Sequence, residues 1–409
     1  MVLLQVVALT ASVSFFVSKL TSSVKARVLV PLTFFIWPQA GASTVLLSRD
    51  VLFCSAFLVI AGYLVAWFGE THPHPRARSS AVPISIGLFL LIILRWNGAI
   101  IAILVVILIW LLAKNLRVTV LPIIGLISGC AILLFPPLST NQGGRALRTG
   151  GQAIDIAWGL REDPESFSPE EIKLIEDLGG VAAWVQSQRD CENSAMPLLY
   201  DVFDQGGYWE TLNLESASKK IQSIWINHAT RSPDVLIEGR LCRMRGLIWL
   251  GSSWPQSPVV SYKLKNTSLV ETNYWLKNLG ERPIPPLFKE SHVKLAGDFV
   301  NTYGQSRLGR LLANPLPYLM LPIFRTYRRR SLSRRDLALV SLPIFVVLSI
   351  FIGGVGYEPR YVWPATAVLV LSFLTDISRR SQRKTQGWFR QNRKDTSMVR
   401  SAGVEPTTF

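Results

Sequence analysis

Long apolar runs alternate with short polar connections at both ends of the chain, and the polar residues 137–310 separate the two apolar regions. A transmembrane helix needs about 20 mostly apolar residues to cross roughly 30 Å of hydrocarbon. The pattern therefore predicts an all-α integral membrane protein, a polytopic helical bundle of about nine spans. The predicted spans are residues 1–18, 28–46, 51–68, 82–94, 98–113, 118–136, 311–325, 337–354 and 361–376.

This pattern divides the chain into four parts. Residues 1–136 form an N-terminal transmembrane block, 137–310 a mainly helical domain outside the membrane, 311–376 a C-terminal transmembrane block and 377–409 a basic tail. Helices inside the polar part are predicted from Ser168-Pro169-Glu170-Glu171, which reads as a capping box, over Ser216–Ala229, and from Ser232-Pro233-Asp234. The glycine pair Gly179-Gly180 is expected to end the first of them.

Charge is distributed unevenly along the chain. The whole sequence has 43 Lys and Arg against 27 Asp and Glu, whereas residues 137–310 hold 19 basic and 20 acidic side chains. The surplus of positive charge therefore flanks the membrane runs, which excludes a nucleic-acid partner and points to the lipid bilayer, because Lys and Arg accumulate in cytoplasmic loops. We predict a multi-pass plasma membrane protein with residues 137–310 extracytoplasmic and the C-terminal tail cytoplasmic.

If nine spans cross the membrane in alternating directions, Met1 also lies outside, although no basic residues beside it would retain it there. One interpretation is that an upstream span is missing from the chain. The other is that one of the weaker spans is wrong.

Cysteine and histidine positions give few chemical signals. Cys191 and Cys242 both lie in the polar segment, where a disulfide bridge and two free thiols are both open. The four histidines are expected to have surface or capping roles. No metal site is predicted, because no zinc spacing or His-Glu-x-x-His motif occurs, and the sequence leaves any cofactor unknown.

Candidate functional residues stand at the predicted outer ends of the spans. Ionisable groups at membrane depth are costly and are usually paired or functional. They could form one substrate site, or act singly as interfacial anchors and structural ion pairs. These residues are Arg49, Asp50, Arg95, Asn97, Glu358, Arg360 and Tyr361.

A glycine-rich stretch follows the span that ends at Pro136. It contains Arg145 and Arg148, two cations that together with flexible backbone donors could bind a phosphate. Glycine-rich juxtamembrane linkers are also common, so the alternative is a simple linker.

Three short motifs carry a resemblance to a known class. They are Leu46-Leu47-Ser48-Arg49-Asp50-Val51-Leu52-Phe53 before a span, Leu94-Arg95-Trp96-Asn97-Gly98 between two spans, and Glu358-Pro359-Arg360-Tyr361 with Val362-Trp363-Pro364 at a late span. With the large outer segment, this order resembles the GT-C class of polytopic membrane glycosyltransferases, in particular a bacterial branch similar to protein mannosyltransferases.

The resemblance implies transfer of a sugar from a polyprenyl-phosphate donor at the outer face of the membrane. Members of the class have a catalytic acidic residue on a first outer loop, and this chain has no such loop. Asp50 is the acidic residue expected to take its place as catalytic base, and the arginines, Asn97, Glu358 and Tyr361 are expected to bind substrate. The alternative is a non-catalytic, truncated or degenerate membrane protein that acts in envelope assembly or as a scaffold.

Overall fold

The structure of the chain is a computed structural model. It describes residues 2–37, 49–69, 77–95, 97–113, 116–134, 142–178, 180–188, 214–245, 302, 306, 316–320, 323, 333–353 and 362–378. Within these ranges every regular element is helical, so the all-α class is confirmed.

Eight of the described helices are apolar, and we call them the apolar bundle. The bundle comprises α1 (Val2–Leu20), α2 (Val24–Ile36), α3 (Arg49–Gly69), α4 (Ala77–Leu94), α5 (Gly98–Ala113), α6 (Leu116–Leu134), α12 (Arg334–Gly353) and α13 (Val362–Ser378). Five of the described helices between α6 and α12 form the polar helix group. They are α7 (Gln142–Glu162), α8 (Pro169–Asp177), α9 (Val181–Ser187), α10 (Leu214–Arg231) and α11 (Pro233–Arg243).

Helix α3 lies at the centre of the apolar bundle, where it packs against α1, α4 and α12. Buried residues from all eight helices except α6 join one core, and α6 adds partly buried side chains. Three helices of the described chain are long and apolar enough to cross a membrane, at Leu3–Leu20, Asp50–Phe68 and Arg334–Gly353. Shorter apolar helices occupy Ala81–Leu94, Gly98–Leu112, Val120–Ala131 and Val362–Ser378.

Two predicted spans are represented only in part. In the range 28–46, α2 ends at Ile36 and residues 38–46 lie outside the described chain. In the range 311–325, residues 316–320 are helical and most of the others lie outside it.

Helices α4 and α6 approach closely through glycine. A Cβ atom placed on Gly125 would lie 2.3 Å from the carbonyl oxygen of Ser85, and one on Gly129 would lie 2.8 Å from Ile92 Cδ1. Small residues four positions apart let membrane helices bring their backbones together. The contacts of Gly125 and Gly129 therefore fix the position of α4 against α6, and with it the start of the turn that follows α4.

Side chains on the outer surface of the apolar bundle are themselves apolar. On α12, the residues Ile344, Leu348 and Ile352 recur every four positions and are all exposed. A helix of membrane-spanning length with such a stripe suits a lipid environment, since no water-facing helix gains by exposing it.

Helix α7 is the centre of the polar helix group and packs against α9, α10 and α11. Its buried side chains Ala153, Ile156, Ala157 and Leu160 form a core with α8, α9 and α10. The glycine-rich stretch, from Gln142 onward, forms the first part of α7, and whether it binds a phosphate stays a prediction. Packing of the second half of the helix outweighs the low helix propensity of its glycines.

The caps predicted in the polar segment are confirmed. Ser168 Oγ accepts a hydrogen bond from the Glu171 N–H, and the Glu171 carboxylate accepts one from the Ser168 N–H at 2.8 Å. Helix α8 ends at Asp177, just before the glycine pair, and Gly180 has a φ of 89° that other residues rarely adopt. Helices α10 and α11 cover the other two predicted ranges.

Candidate functional site

Asp50 and Arg95 meet at one end of the apolar bundle. Asp50 stands in the first turn of α3, and Arg95 follows the last residue of α4. Arg95 Nε donates a 2.5 Å hydrogen bond to Asp50 Oδ1, and Arg95 Nη2 forms an ion pair with the same oxygen. The Asp50 side chain is only 14% exposed and the Arg95 side chain only 9%. The two side chains therefore form a nearly buried ion pair that joins α3 to α4.

An aromatic ring also contacts the guanidinium of this pair. The Cζ atom of Arg95 lies 5.9 Å from the ring centroid of Phe53, which is one turn along α3 from Asp50. Contact with a ring face stabilises a cation electrostatically and restricts its orientation. Arg95 is thus held by both a carboxylate and an aromatic ring of the same helix.

The turn from Arg95 to Gly98 connects α4 to α5. Gly98 N–H donates to the Arg95 carbonyl at 2.9 Å, and Arg95 N–H donates to Leu91 O at 3.1 Å. A Cβ on Gly98 would lie 2.1 Å from that same Leu91 oxygen, so only glycine fits. The glycine of the Arg-x-Asn-Gly motif therefore has a steric reason.

Asn97 fixes the beginning of α5 to α12. Its Nδ2 donates to Ser349 Oγ at 3.5 Å, and Ser349 Oγ in turn donates to Val346 O at 2.7 Å. Both Asn97 and Ser349 are buried. Asp50, Arg95 and Asn97, three residues predicted from sequence to share a site, thus mark the end of the bundle where α3 and α5 begin.

The other predicted site residues are described less fully. Arg49 is the first residue of α3, and Arg145 and Arg148 are in the first two turns of α7, but their side chains lie outside the described structure. Glu358, Arg360 and Tyr361 lie wholly outside the described residues. Their predicted place beside Asp50 and Arg95 stays a prediction.

A second charged cluster, which was not predicted from sequence, centres on Asp155 of α7. The Asp155 side chain is fully buried. Arg240 Nη2 donates to its Oδ2 at 2.6 Å, Arg243 Nη2 forms an ion pair with its Oδ1, and Trp225 Nε1 donates to Oδ2 at 2.9 Å. The only sequence signal is an acidic residue inside the apolar run Ala153–Ala157, opposite two arginines spaced three positions apart on α11.

This cluster places two guanidinium groups beside one carboxylate. Arg243 is buried, and its Nε and Nη1 atoms have no hydrogen-bond partner among the described residues. Within the same part of the chain, Trp158 Nε1, one turn along α7 from Asp155, has none either. Burial lowers the pKa of Arg243, while the charge of Asp155 raises it. Asp155 is therefore the group on which the buried arginines depend.

Arg240 connects this cluster to the apolar bundle. Its Nη1 donates to the carbonyl oxygen of Ile352 at 2.8 Å, near the last turn of α12. One turn away on the same helix, Ser349 accepts the hydrogen bond from Asn97. The Asp155 cluster and the Asp50–Arg95 pair are therefore attached to the same end of the apolar bundle.

His228 is buried in the polar helix group, so the expected surface or capping role is wrong for this histidine. Its ring stacks on Phe167 with centroids 4.7 Å apart, and Nδ1 lies 3.2 Å from Ser166 Oγ. Nε2 has no hydrogen-bond partner within the described ranges and packs against Gly159, where a Cβ would lie 2.4 Å away. Burial lowers the pKa of His228 and keeps the imidazole neutral.

Glu171 has the opposite balance of effects. Burial raises its pKa, but hydrogen bonds from the Ser168 N–H, Asn227 and Arg231 outweigh burial and hold the pKa below its usual range. Its carboxylate is therefore ionised, and it joins the cap of α8 to the end of α10.

The cysteines separate into two kinds. Cys54 and Cys130 in the apolar bundle are free thiols, whereas Cys242 is disulfide-bonded. Cys191, the partner considered from sequence, lies outside the described residues.

No cluster of His, Cys, Asp and Glu suited to a metal ion occurs within the described parts of the chain. No protein-family model matches this sequence, and no curated protein or solved structure matches it either. The fold and the two charged clusters thus define a helical protein whose apolar bundle suits a lipid bilayer.

Proposed function

We propose that the chain is a membrane glycosyltransferase-like protein that transfers a sugar from a polyprenyl-phosphate donor at the outer face of the plasma membrane. The observation that carries the proposal is the Asp50–Arg95 pair at the end of the apolar bundle to which the polar helix group is attached. A polyprenyl chain would lie among the lipid tails, and its phosphate would lie in the headgroup layer at that end.

The two side chains supply the groups that this reaction needs. In the transfer, an acceptor hydroxyl oxygen bonds to the anomeric carbon of the sugar, and the phosphate leaves with the electron pair of the broken bond. The Asp50 carboxylate would take the hydroxyl proton as general base. A guanidinium such as that of Arg95 would stabilise the charge that develops on the phosphate.

Further substrate contacts belong to the proposal as well. The donor phosphate and sugar would be bound by Arg49, Asn97, Arg145, Arg148, Glu358, Arg360 and Tyr361, which the sequence places near span ends. The disulfide at Cys242 supports an outer location for the polar helix group, because disulfides persist in oxidising compartments.

One observation favours a second candidate, a non-catalytic scaffold in envelope assembly. Asp50 and Asn97 are each bonded to another helix of the bundle, through Arg95 and Ser349 respectively. Such contacts would be sufficient reason for these residues in a protein whose only task is to hold its helices together.

The two candidates are distinguished by donor binding and turnover. The full chain is reconstituted in lipid nanodiscs with a radiolabelled polyprenyl-phosphate hexose, and bound donor and released polyprenyl phosphate are measured. Asp50→Asn is expected to fold with reduced stability, because the amide still accepts from Arg95 but no longer supplies its counter-charge. Bound donor and release are therefore measured on the folded fraction, where donor binding is expected to persist and release to fall at least tenfold through loss of the base.

The matched control is Asp336→Asn. Asp336 is also an acidic residue in the first turn of an apolar helix, where its N–H donates to Ser333 Oγ at 3.0 Å, but it lies at the opposite end of α12 from Ser349 and Ile352. It is expected to release polyprenyl phosphate at the parent rate. Absence of donor binding in the parent chain, or parent-rate release by Asp50→Asn, would contradict the glycosyltransferase proposal and favour the scaffold.

A further inference from the structure

Helix α11 of the polar helix group has two apolar faces rather than one. Its inner face packs Leu236, Gly239 and Cys242 into the protein. Ile237 and Leu241, four positions apart, lie on the outer face and are 47% and 52% exposed. Residues at this spacing lie on one side of a helix. Adjacent exposed apolar side chains on a helix that is otherwise packed form a surface that a lipid or protein partner could cover.

The stripe leads directly into the apolar bundle. Met244, which follows Ile237 by seven positions and so continues the same side of the helix, is buried in the core of that bundle. Between them, Arg240 donates its 2.8 Å hydrogen bond to the carbonyl of Ile352. The outer face of α11 is therefore continuous with the end of α12.

The residue of α12 that α11 contacts, Ile352, belongs to the exposed apolar stripe of α12. Ile352 is the last member of the stripe with Leu348 and Ile344, on a helix of membrane-spanning length. If lipid covers this stripe, the lipid surface ends close to Ile352. That level is where Ile237 and Leu241 of α11 begin.

Charged side chains lie on both sides of the exposed apolar residues of α11. Arg240 lies on one side, and Glu238 and the exposed Arg245 lie on the other. A helix with an apolar centre and charged flanks is typical of a segment that lies in the plane of a membrane interface. The guanidinium of Arg240 is bound to Asp155 and Ile352, so the exposed Arg245 is the side chain that suits the phosphate of a headgroup there.

We propose that α11 lies on the bilayer surface, with Ile237 and Leu241 inserted at the boundary between headgroups and acyl chains. The partner is the lipid surface itself, and a second protein chain is the competing occupant. The consequence is that the Asp155 cluster, which α11 completes with Arg240 and Arg243, lies at the depth of the headgroups. This inference depends on the bilayer and does not depend on any activity.

Two neighbouring residues allow a matched test. Ile237→Cys and Glu238→Cys are made separately in a chain with Cys130→Ala, since Cys54 is fully buried, and each is given a nitroxide label. The labelled proteins are reconstituted in phosphatidylcholine vesicles containing phosphatidylglycerol. Collision of each label with oxygen, which concentrates in lipid, and with a water-soluble nickel chelate is measured by electron paramagnetic resonance.

The label at position 237 is expected to favour oxygen and the label at 238 to favour the nickel chelate, because successive helix positions differ in direction by about 100°. Circular dichroism melting confirms that both labelled chains remain folded. Preference for the nickel chelate at both positions would overturn the proposal. Shielding of position 237 from both reagents would also overturn it, and would indicate a protein partner instead.

Discussion

Arg95 Nε donates a 2.5 Å hydrogen bond to the carboxylate of Asp50, although the two residues are 45 positions apart in the sequence. The pair joins the beginning of α3 to the end of α4, and Asn97 in the next turn joins α5 to Ser349 of α12. Four helices of the apolar bundle are therefore connected by polar contacts at one end.

The strength of the Asp50–Arg95 pair can be measured by a double-mutant cycle. Arg95→Met is expected to lower the free energy of unfolding by about 3 kcal/mol, because it leaves a nearly buried carboxylate without its cation. Asp50→Leu together with Arg95→Met is expected to recover most of that loss. Equilibrium unfolding in mixed detergent micelles measures the free energy of unfolding of the parent, of each single variant and of the double variant. Losses that simply add in the double variant would show that the two side chains are not coupled.

Asp155 is expected to be among the most sensitive positions of the polar helix group. Asp155→Asn removes the one carboxylate shared by Arg240 and Arg243, so one buried and one nearly buried guanidinium group lose their counter-charge. The expected loss is about 3–5 kcal/mol of unfolding free energy. Denaturant unfolding followed by circular dichroism checks it.

The control for this change is Asp177→Asn at the end of α8. Asp177 is exposed, so its substitution should change stability by less than about 0.5 kcal/mol. Equal effects of the two substitutions would mean that Asp155 does not hold the arginines in place.

His228 gives the polar helix group a pH dependence with a definite sign. Burial lowers its pKa, and the carboxylates of Asp155, Asp163 and Glu171 offset that only in part. Just below about pH 6.5, His228 is therefore protonated in the unfolded chain and still neutral in the folded chain. Stability is fully present above that pH and is lost as the pH falls below it.

Thermal unfolding between pH 7.5 and pH 5.5 measures this dependence. The parent chain is expected to melt at a lower temperature at pH 5.5, and His228→Gln is expected to show a flatter profile. Glu171, whose lowered pKa makes its contribution disappear only at more acidic pH, does not interfere in this range. An unchanged slope in His228→Gln would assign the pH dependence to other groups.

Gly98 is expected to tolerate no side chain. Gly98→Ala would place a Cβ 2.1 Å from the Leu91 carbonyl oxygen, and the backbone at a helix end cannot yield as a side chain can. Gly129→Ala is the matched control, because its new Cβ would meet the flexible Ile92 side chain at 2.8 Å. Folded yield in detergent should fall severalfold for Gly98→Ala and less for Gly129→Ala. The reverse order would contradict the turn geometry.

Local features were predictable from the sequence, and long-range partners were only partly so. The capping box at Ser168 involves residues three positions apart, so its pattern of letters is enough to place the start of α8. Asp155 instead binds arginines 85 and 88 positions away, and no local pattern specifies that pairing. The closeness of Asp50 and Arg95 was predicted because both stand at span ends of the same orientation, but their direct bond was not.

The glycine-rich start of α7 shows why propensity alone misleads. Glycines favour a linker, yet Ile156, Leu160 and their neighbours on the same helix pack against α10 and impose the helix. The burial of His228 was not predicted for a similar reason, since its site between Phe167 and Gly159 forms only when α7 and α10 pack together.

If the apolar bundle crosses the membrane and carries the polar helix group on its outer side, the two will differ in access to a reagent outside the cell. Two exposed lysines offer a matched test, Lys173 in the polar helix group and Lys25 at the beginning of α2. Each is replaced by cysteine and exposed in intact cells to a membrane-impermeant maleimide, with the parent chain as background. We expect labelling of Lys173→Cys in intact cells and of Lys25→Cys only after the membrane is opened. Labelling of Lys173→Cys only after opening, or of both positions before it, would show that the polar helix group does not lie on the outer side of a membrane crossed by the apolar bundle.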